Sequence, residues 1–132
     1  MKATELSYRV PYAETDQMGV VYYANYLIYF ERIRTELLRE AGLPYRKLEE
    51  NGIMLPVIEA VCRYKSPARY DDLLRLLGWV EEVRGPRIRI ACEVRREEDL
   101  LVNGYTVHAC VNREGRPIRA PKELLSLAPI PN

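Results

Sequence analysis

One stretch of this chain carries the period of a long helix, and most of the chain beyond it alternates with period 2. Tyr26, Phe30, Ile33, Leu37 and Ala41 recur at steps of 4, 3, 4 and 4, which lays one apolar stripe along a helix. Tyr22, Leu27, Tyr29 and Leu38 widen the stripe, while Glu31, Arg32, Thr35, Glu36, Arg39 and Glu40 occupy the other side. Gly42 and Pro44 form a stop signal, because glycine accepts the left-handed turn after a helix and proline cannot continue one. A shorter helix is predicted from Tyr45 to Asn51, closed by Gly52. A long helix with one apolar face needs one surface to cover, and the rest of the chain must supply it.

That surface is predicted to be a sheet. Leu6 to Val10 alternates as a short strand, with Pro11 ending its ladder. Leu55 to Tyr64 alternates Val57, Glu59, Val61 and Arg63 against Ile58, Ala60, Cys62 and Tyr64. Leu73 to Val83 reads as a long strand with a bulge at Gly78. Arg87 to Arg96 points Ile88, Ile90, Cys92 and Val94 one way and Arg87, Arg89, Glu93 and Arg95 the other. Leu100 to Asn112 places Tyr105, Val107, Ala109 and Val111 on one face. Between strands lie the Ser66–Asp72 loop and the turns Arg84-Gly85-Pro86-Arg87 and Glu97-Glu98-Asp99. A last short helix is predicted from Pro121 to about Leu127. Strands joined by short turns are most simply antiparallel, so the expected class is α+β, one domain over residues 1–132.

A chain of 132 residues can bury roughly 68% of its unfolded surface, enough for one core without staples. Cys62, Cys92 and Cys110 are odd in number and widely spaced, and His108 is the one histidine. This excludes a zinc motif, predicts no metal or cofactor, and reads the cysteines as buried small hydrophobes, with His108 structural. Twenty basic residues against 19 acidic give a net charge of +1, against a protein that coats nucleic acid. No apolar run approaches the roughly 18 residues of a membrane span, and Met1–Glu5 has no apolar stretch behind its charge. A cytoplasmic location is expected.

Residues 12–34 carry something more specific. The run Tyr12-Ala13-Glu14-Thr15-Asp16-Gln17-Met18-Gly19-Val20-Val21-Tyr22-Tyr23-Ala24-Asn25-Tyr26, then Tyr29-Phe30-Glu31-Arg32-Ile33-Arg34, resembles the signature of hot-dog-fold acyl-CoA thioesterases. The resemblance is to the 4-hydroxybenzoyl-CoA thioesterase type and above all to the Tol–Pal-associated acyl-CoA thioesterases. It extends through Ser66-Pro67-Ala68-Arg69-Tyr70-Asp71-Asp72-Leu73, the Arg84-Gly85 turn and Arg119-Ala120-Pro121-Lys122, nearly the whole chain. It implies a five-stranded antiparallel sheet wrapped around the long helix. It also implies homodimers with joined sheets, often paired into homotetramers, and active sites at the dimer interface. The Tol–Pal-associated members commonly carry histidine where this chain has Tyr23, and the hydroxybenzoyl-CoA enzymes carry tyrosine there.

Thioester hydrolysis needs a group that activates water or attacks, and a donor for the oxyanion. Asp16, in the loop ahead of the helix, can act as general base or as a nucleophile forming a mixed anhydride. It can also simply cap a turn. A helix N-terminus offers unpaired N–H groups and the positive end of its dipole; the resemblance assigns the donor to the Tyr23 backbone. Gly19 permits the sharp turn that brings loop and helix together. Tyr22, Tyr26 and Tyr29 share one face and suit core packing, and Tyr26 is also a candidate for lining an acyl pocket. Glu31 and Arg34, three apart, suit an ion pair; Glu31 is a second candidate carboxylate, since a related branch uses a helical glutamate. The phosphates of coenzyme A call for a local cation cluster, and the resemblance favours Arg84 and Arg119, whose planar guanidinium suits phosphate. The expected substrate is a short-chain or aromatic acyl-CoA. Two other readings share this fold: a non-catalytic acyl-CoA or acyl-carrier-protein binding module, against which Asp16 argues, and a hydratase, which asks for an acid/base pair that usually includes histidine.

Overall fold

The computed structural model describes residues 3–129. Five strands, β1 (Thr4–Arg9), β2 (Val57–Tyr64), β3 (Leu73–Arg84), β4 (Arg87–Arg96) and β5 (Asp99–Ala109), form one sheet in the order β1-β3-β4-β5-β2. Every neighbouring pair is antiparallel. Helix α1 (Asn25–Glu40) crosses one face, and α2 (Tyr45–Glu50) and α3 (Lys122–Leu125) are short. The expected helix-wrapped sheet is therefore present.

The ends of α1 follow from its sequence. Gly42 takes a φ of 81°. Its N–H donates to the Arg39 carbonyl, and the Leu43 N–H donates to that of Leu38. This double closure is the Schellman arrangement that a glycine after a helix permits. Tyr26, Tyr29, Phe30, Ile33, Leu37 and Leu38 are buried as the stripe predicts. Tyr22 and Leu27 are not: they are 47% and 43% exposed, because the helix begins only at Asn25 and Leu27 turns away from the sheet.

The helix can lie close because the sheet beneath it is hollowed. Register places Thr4, Gly78, Cys92, Gly104 and Cys62 in one row across all five strands. A Cβ at Gly78 would sit 3.2 Å from Ile33, and one at Gly104 would sit 1.8 Å from the Val61 carbonyl oxygen and 3.1 Å from the Phe30 ring. Gly78 thus makes room for α1 and is not the expected bulge. The bulge falls farther on, where the β3–β4 register shifts between Val80 and Glu82. Cys92 and Cys110 are buried as expected, whereas Cys62, on the edge strand, is half-buried.

Strand β5 holds a second difference from simple alternation. His108 pairs with Ile88 and Thr106 with Ile90, so these two polar residues face the helix. Tyr105, Val107 and Ala109 share the outer face, where the Arg89 guanidinium lies 3.6 Å from the Tyr105 ring centroid. The expected last helix is shorter, Lys122–Leu125, with Pro121 as its cap. Strand β2 lies at one edge of the sheet, with Val57, Ile58, Glu59 and Ala60 exposed. Among the described residues no helix is long and apolar enough to cross a membrane.

Candidate active site

The loop after β1 is held by short local bonds. A 3-10 turn spans Tyr12–Glu14, and Thr15 bridges to Val21. The Asp16 N–H donates to the Val20 carbonyl, and the Gly19 N–H donates to that of Asp16. Gly19 has a φ of 79°, a conformation that glycine adopts without strain. The Asp16 carboxylate takes part through one oxygen. Its Oδ1 accepts from the Met18 N–H at 2.9 Å and more distantly from the Val20 N–H at 3.5 Å. The other oxygen, Oδ2, accepts no hydrogen bond among the described residues. Asp16 therefore caps a turn, and half of its carboxylate stays available.

The start of α1 follows directly. The Asn25, Tyr26 and Leu27 N–H groups turn back onto the carbonyls of Tyr22, Tyr23 and Ala24. No side chain caps this end. The N–H groups of Tyr23 and Ala24 donate to nothing among the described residues. Two unspent donors at the positive end of a four-turn helix can stabilise negative charge that develops beside them.

Beside these donors lies a cleft of about 280 Å³ walled by Val21, Tyr23, Tyr26, Tyr64 and Pro67, with Lys65 on its border. Tyr26 is 3% exposed. Its hydroxyl accepts from the Ala68 N–H at 3.1 Å, and burial raises its pKa. The Tyr64 hydroxyl donates to the Tyr23 carbonyl at 3.3 Å. The Tyr23 ring is 61% exposed and packs against those of Tyr22 and Tyr64. Asp16, Gly19, Tyr23 and Tyr26 therefore gather at one end of the sheet. Tyr64 and Lys65 join them without a sequence signal, since they are distant in the chain and sit where an alternating strand runs into a loop.

Arg84 and Arg119 come together elsewhere. The Ala120 N–H donates to the Gly85 carbonyl, which sets the Arg119 segment beside the β3–β4 turn. Arg84 lies 3.4 Å from Glu82 and borders a cavity of about 450 Å³ that Glu81, Val83, Leu125 and Ala128 also line. The row Val94–Val102–Tyr64 marks the Asp16 end of the sheet, and Arg87 pairs with Ala109 at the other. Seven residues of β4 separate Val94 from Arg87, about 23 Å at ~3.3 Å per residue. Within one chain the two arginines and Asp16 are at opposite ends.

Glu31 and Arg34 do not form the expected ion pair among the described residues. Glu31 is exposed, and Arg34 turns inward, 7% exposed, with its Nε 3.4 Å from the Tyr45 hydroxyl. Three residues along a helix are not quite one turn, enough here to send one side chain to solvent and the other to the core. His108 is buried too, bonded through Nδ1 to the Leu55 carbonyl and through Nε2 to the Thr106 hydroxyl. Burial pushes its pKa down to about 4, aided by the Arg34 charge and opposed by the Leu55 bond.

Residues 10–131 match the thioesterase-like superfamily. A protein of Thermus thermophilus described as hypothetical has the same fold, with a TM-score of 0.89 and 34% identity over 94% of this chain and 98% of that one. A DHNA-CoA thioesterase of Staphylococcus aureus superposes with a TM-score of 0.84 at 30% identity, covering 90% of this chain and 81% of that one. The acyl-CoA thioesterase YbgC of Haemophilus influenzae is 37% identical over 118 residues, 88% of this chain and 87% of that one. The sheet order, the enclosed helix and these likenesses agree: the chain belongs to the thioesterase-like superfamily, as a hot-dog-fold hydrolase of the acyl-CoA thioesterase group.

Proposed function

We propose that residues 1–132 act as one thioesterase domain that hydrolyses a short-chain or aromatic acyl-CoA to the carboxylic acid and free coenzyme A. One observation carries this reading: a half-free Asp16 carboxylate stands in the loop that leads to two unspent N–H groups, beside an aromatic cleft. The thioester carbonyl takes the Tyr23 N–H, so the charge that develops on its oxygen meets a donor already in place. Asp16 Oδ2 then either removes a proton from water or attacks the carbonyl carbon itself. The acyl group lies against Tyr26 and Tyr64 in a cleft of about 280 Å³, which has room for a short chain or one aromatic ring system. No metal or cofactor has a part in these steps.

A partner subunit completes the site. Antiparallel pairing of two exposed β2 edges about a twofold axis would bring the Arg84–Arg119 end of one sheet level with the Asp16 end of the other. One substrate then spans two chains, its thioester held by one and its nucleotide by arginines of the next. Such a dimer, alone or paired into a tetramer, is the assembly this reading requires.

The test is release of free thiol from a panel of acyl-CoAs. Asp16→Asn keeps shape and hydrogen bonding but removes the charge, and should lower kcat by about 10²–10⁴, the size of a lost general base. Glu31→Gln and Tyr23→Phe should be mild, because Glu31 lines a separate groove with Ile28, Thr35 and Arg39 and the Tyr23 donor is its backbone. Near-normal turnover of Asp16→Asn, with loss in Glu31→Gln, would move the catalytic carboxylate onto the helix. A wild-type protein that binds acyl-CoA without releasing thiol would be a binding module.

A further inference from the structure

Glu14 reads in the sequence as one more loop residue, yet both oxygens of its carboxylate and its main-chain carbonyl are all bonded to other elements. Its Oε2 accepts from the Tyr8 hydroxyl of β1 at 2.6 Å, and its Oε1 accepts from the Tyr29 hydroxyl of α1, also at 2.6 Å. Its carbonyl oxygen accepts from the Tyr22 N–H at 2.9 Å and from the Asn25 side-chain amide at 3.0 Å. One residue thus ties the first strand, the helix, and the chain on both sides of the Asp16 turn.

Charge-assisted O–H···O bonds of this length are among the strong ones. The donors are rigid in turn. Tyr29 is fully buried, packing against the rings of Tyr8 at 5.0 Å and Tyr26 at 5.6 Å between centroids. The Arg32 guanidinium lies 4.8 Å from the Tyr8 ring. Burial and the Glu14 carboxylate push Tyr8 up to about 12, and both act the same way on Tyr29, so the two hydroxyls stay protonated and keep donating. Core packing needs neither hydroxyl, and a carboxylate so placed costs desolvation unless it is fully bonded. The network does more than fill space.

We infer that Glu14 is a positioning residue for hydrolysis: it fixes the Asp16 turn against the N-terminus of α1, so that carboxylate and oxyanion donors keep their separation through the reaction. The inference rests on the assignment of Asp16 as the reacting carboxylate. The Glu14 carboxylate is spent on two tyrosines and touches no substrate. Its effect passes through Asp16, where a misplacement of about 1 Å is enough to cost roughly 10² in rate.

A double-mutant cycle in kcat tests this, with KM and thermal unfolding followed alongside. Glu14→Ala should lower kcat by about 10–100-fold and change KM little. Glu14→Gln keeps one acceptor and should recover most of the loss, and Tyr29→Phe should fall between. In an Asp16→Asn background each change should cost less than about threefold, because the group being positioned is already inert. Where Glu14→Ala folds poorly, Glu14→Gln and Tyr29→Phe carry the cycle. Equal fold-losses in both backgrounds, as simple loss of folded protein would give, would overturn the positioning role alone. Near-normal turnover of Asp16→Asn would instead remove the Asp16 assignment and this inference with it.

Discussion

The two ends of the sheet are made differently. At the Asp16 end, tyrosine rings pack in a tilted, edge-to-face chain from Tyr8 through Tyr29, Tyr26 and Tyr64 to Tyr23. Bonds of 2.6 Å lock the loop to strand and helix. At the Arg84 end the surface is charged and loosely tied: Arg84 meets Glu82 at 3.4 Å with its side chain 80% exposed, and Arg87 meets Glu59 only at 3.9 Å. A reaction centre requires fixed geometry, whereas a phosphate contact requires charge that can adjust. In the proposed reading, chemistry and nucleotide anchoring are separated by most of the length of one protomer, and a second copy paired along the exposed β2 edge would reunite them.

Breaking that edge should do the most damage. Ile58→Lys combined with Ala60→Lys places like charges across the proposed β2–β2 seam, where they repel. Both residues are exposed in the single chain, so its own fold should survive. Sedimentation should show monomers, and kcat/KM should fall by roughly 10² or more, the loss expected when reacting groups and anchors are no longer held together. Full activity in a monomer would show that one chain suffices and that the two ends do not cooperate across a dimer.

The ends also differ in their response to acid. His108 pairs with Val57 and Ile88 toward the arginine end, where it is held near pKa 4 against its ordinary 6.5. The unfolded chain therefore binds a proton between these values that the folded chain refuses. Stability from this group is complete above about pH 6.5 and is lost as pH falls toward 4. At about 1.36 kcal/mol per unit the loss is on the order of 3 kcal/mol. Denaturation between pH 4 and 7 should show this slope in the wild type and much less of it in His108→Gln. The pH profile of kcat should be alike in both proteins, because His108 lies at the other end of the sheet from the proposed reaction centre. A kcat profile that moved with His108→Gln would couple the two ends.

What the sequence disclosed was local. The centre of the α1 stripe, from Tyr26 through Leu38 apart from Leu27, its Gly42 stop and the alternation of β4 depend on neighbours a few residues apart, and they are present as read. The Tyr12–Tyr26 run likewise placed Asp16, Gly19, Tyr23 and Tyr26 together, because one short loop and one helix start carry them all. The errors belong to relations across the sheet. Gly78 signals a bulge in sequence, but its reason is Ile33, 45 positions earlier in the chain. Tyr22 keeps the helical spacing yet lies before the helix, where a tight turn carries it to the surface. Arg34 turns inward, where the hydroxyl that meets it belongs to Tyr45, eleven positions on and in another helix. That Arg84 and Arg119 lie far from Asp16 is a matter of topology alone, and no spacing in the chain encodes it.

The mildest change concerns those arginines, and it bears most directly on how the two ends divide the work. If the far end of a partner subunit holds the nucleotide, Arg84→Ala and Arg119→Ala should each raise KM for acyl-CoA by about two- to fivefold. A single exposed phosphate contact, screened by water, is worth no more than roughly 1 kcal/mol in such a place. Arg84 should give the smaller change, since Glu82 already draws on its charge. The same variants should leave an acyl-pantetheine thioester nearly untouched, because that substrate has no nucleotide to reach the far end. Remote binding energy can also surface in kcat, so the ratio of kcat/KM between the two substrates is the quantity to follow. In the monomer made by Ile58→Lys with Ala60→Lys this ratio should already be collapsed, and Arg84→Ala should add nothing to it. Equal losses on both substrates, or an arginine effect that persists in the monomer, would place the nucleotide somewhere other than across the dimer.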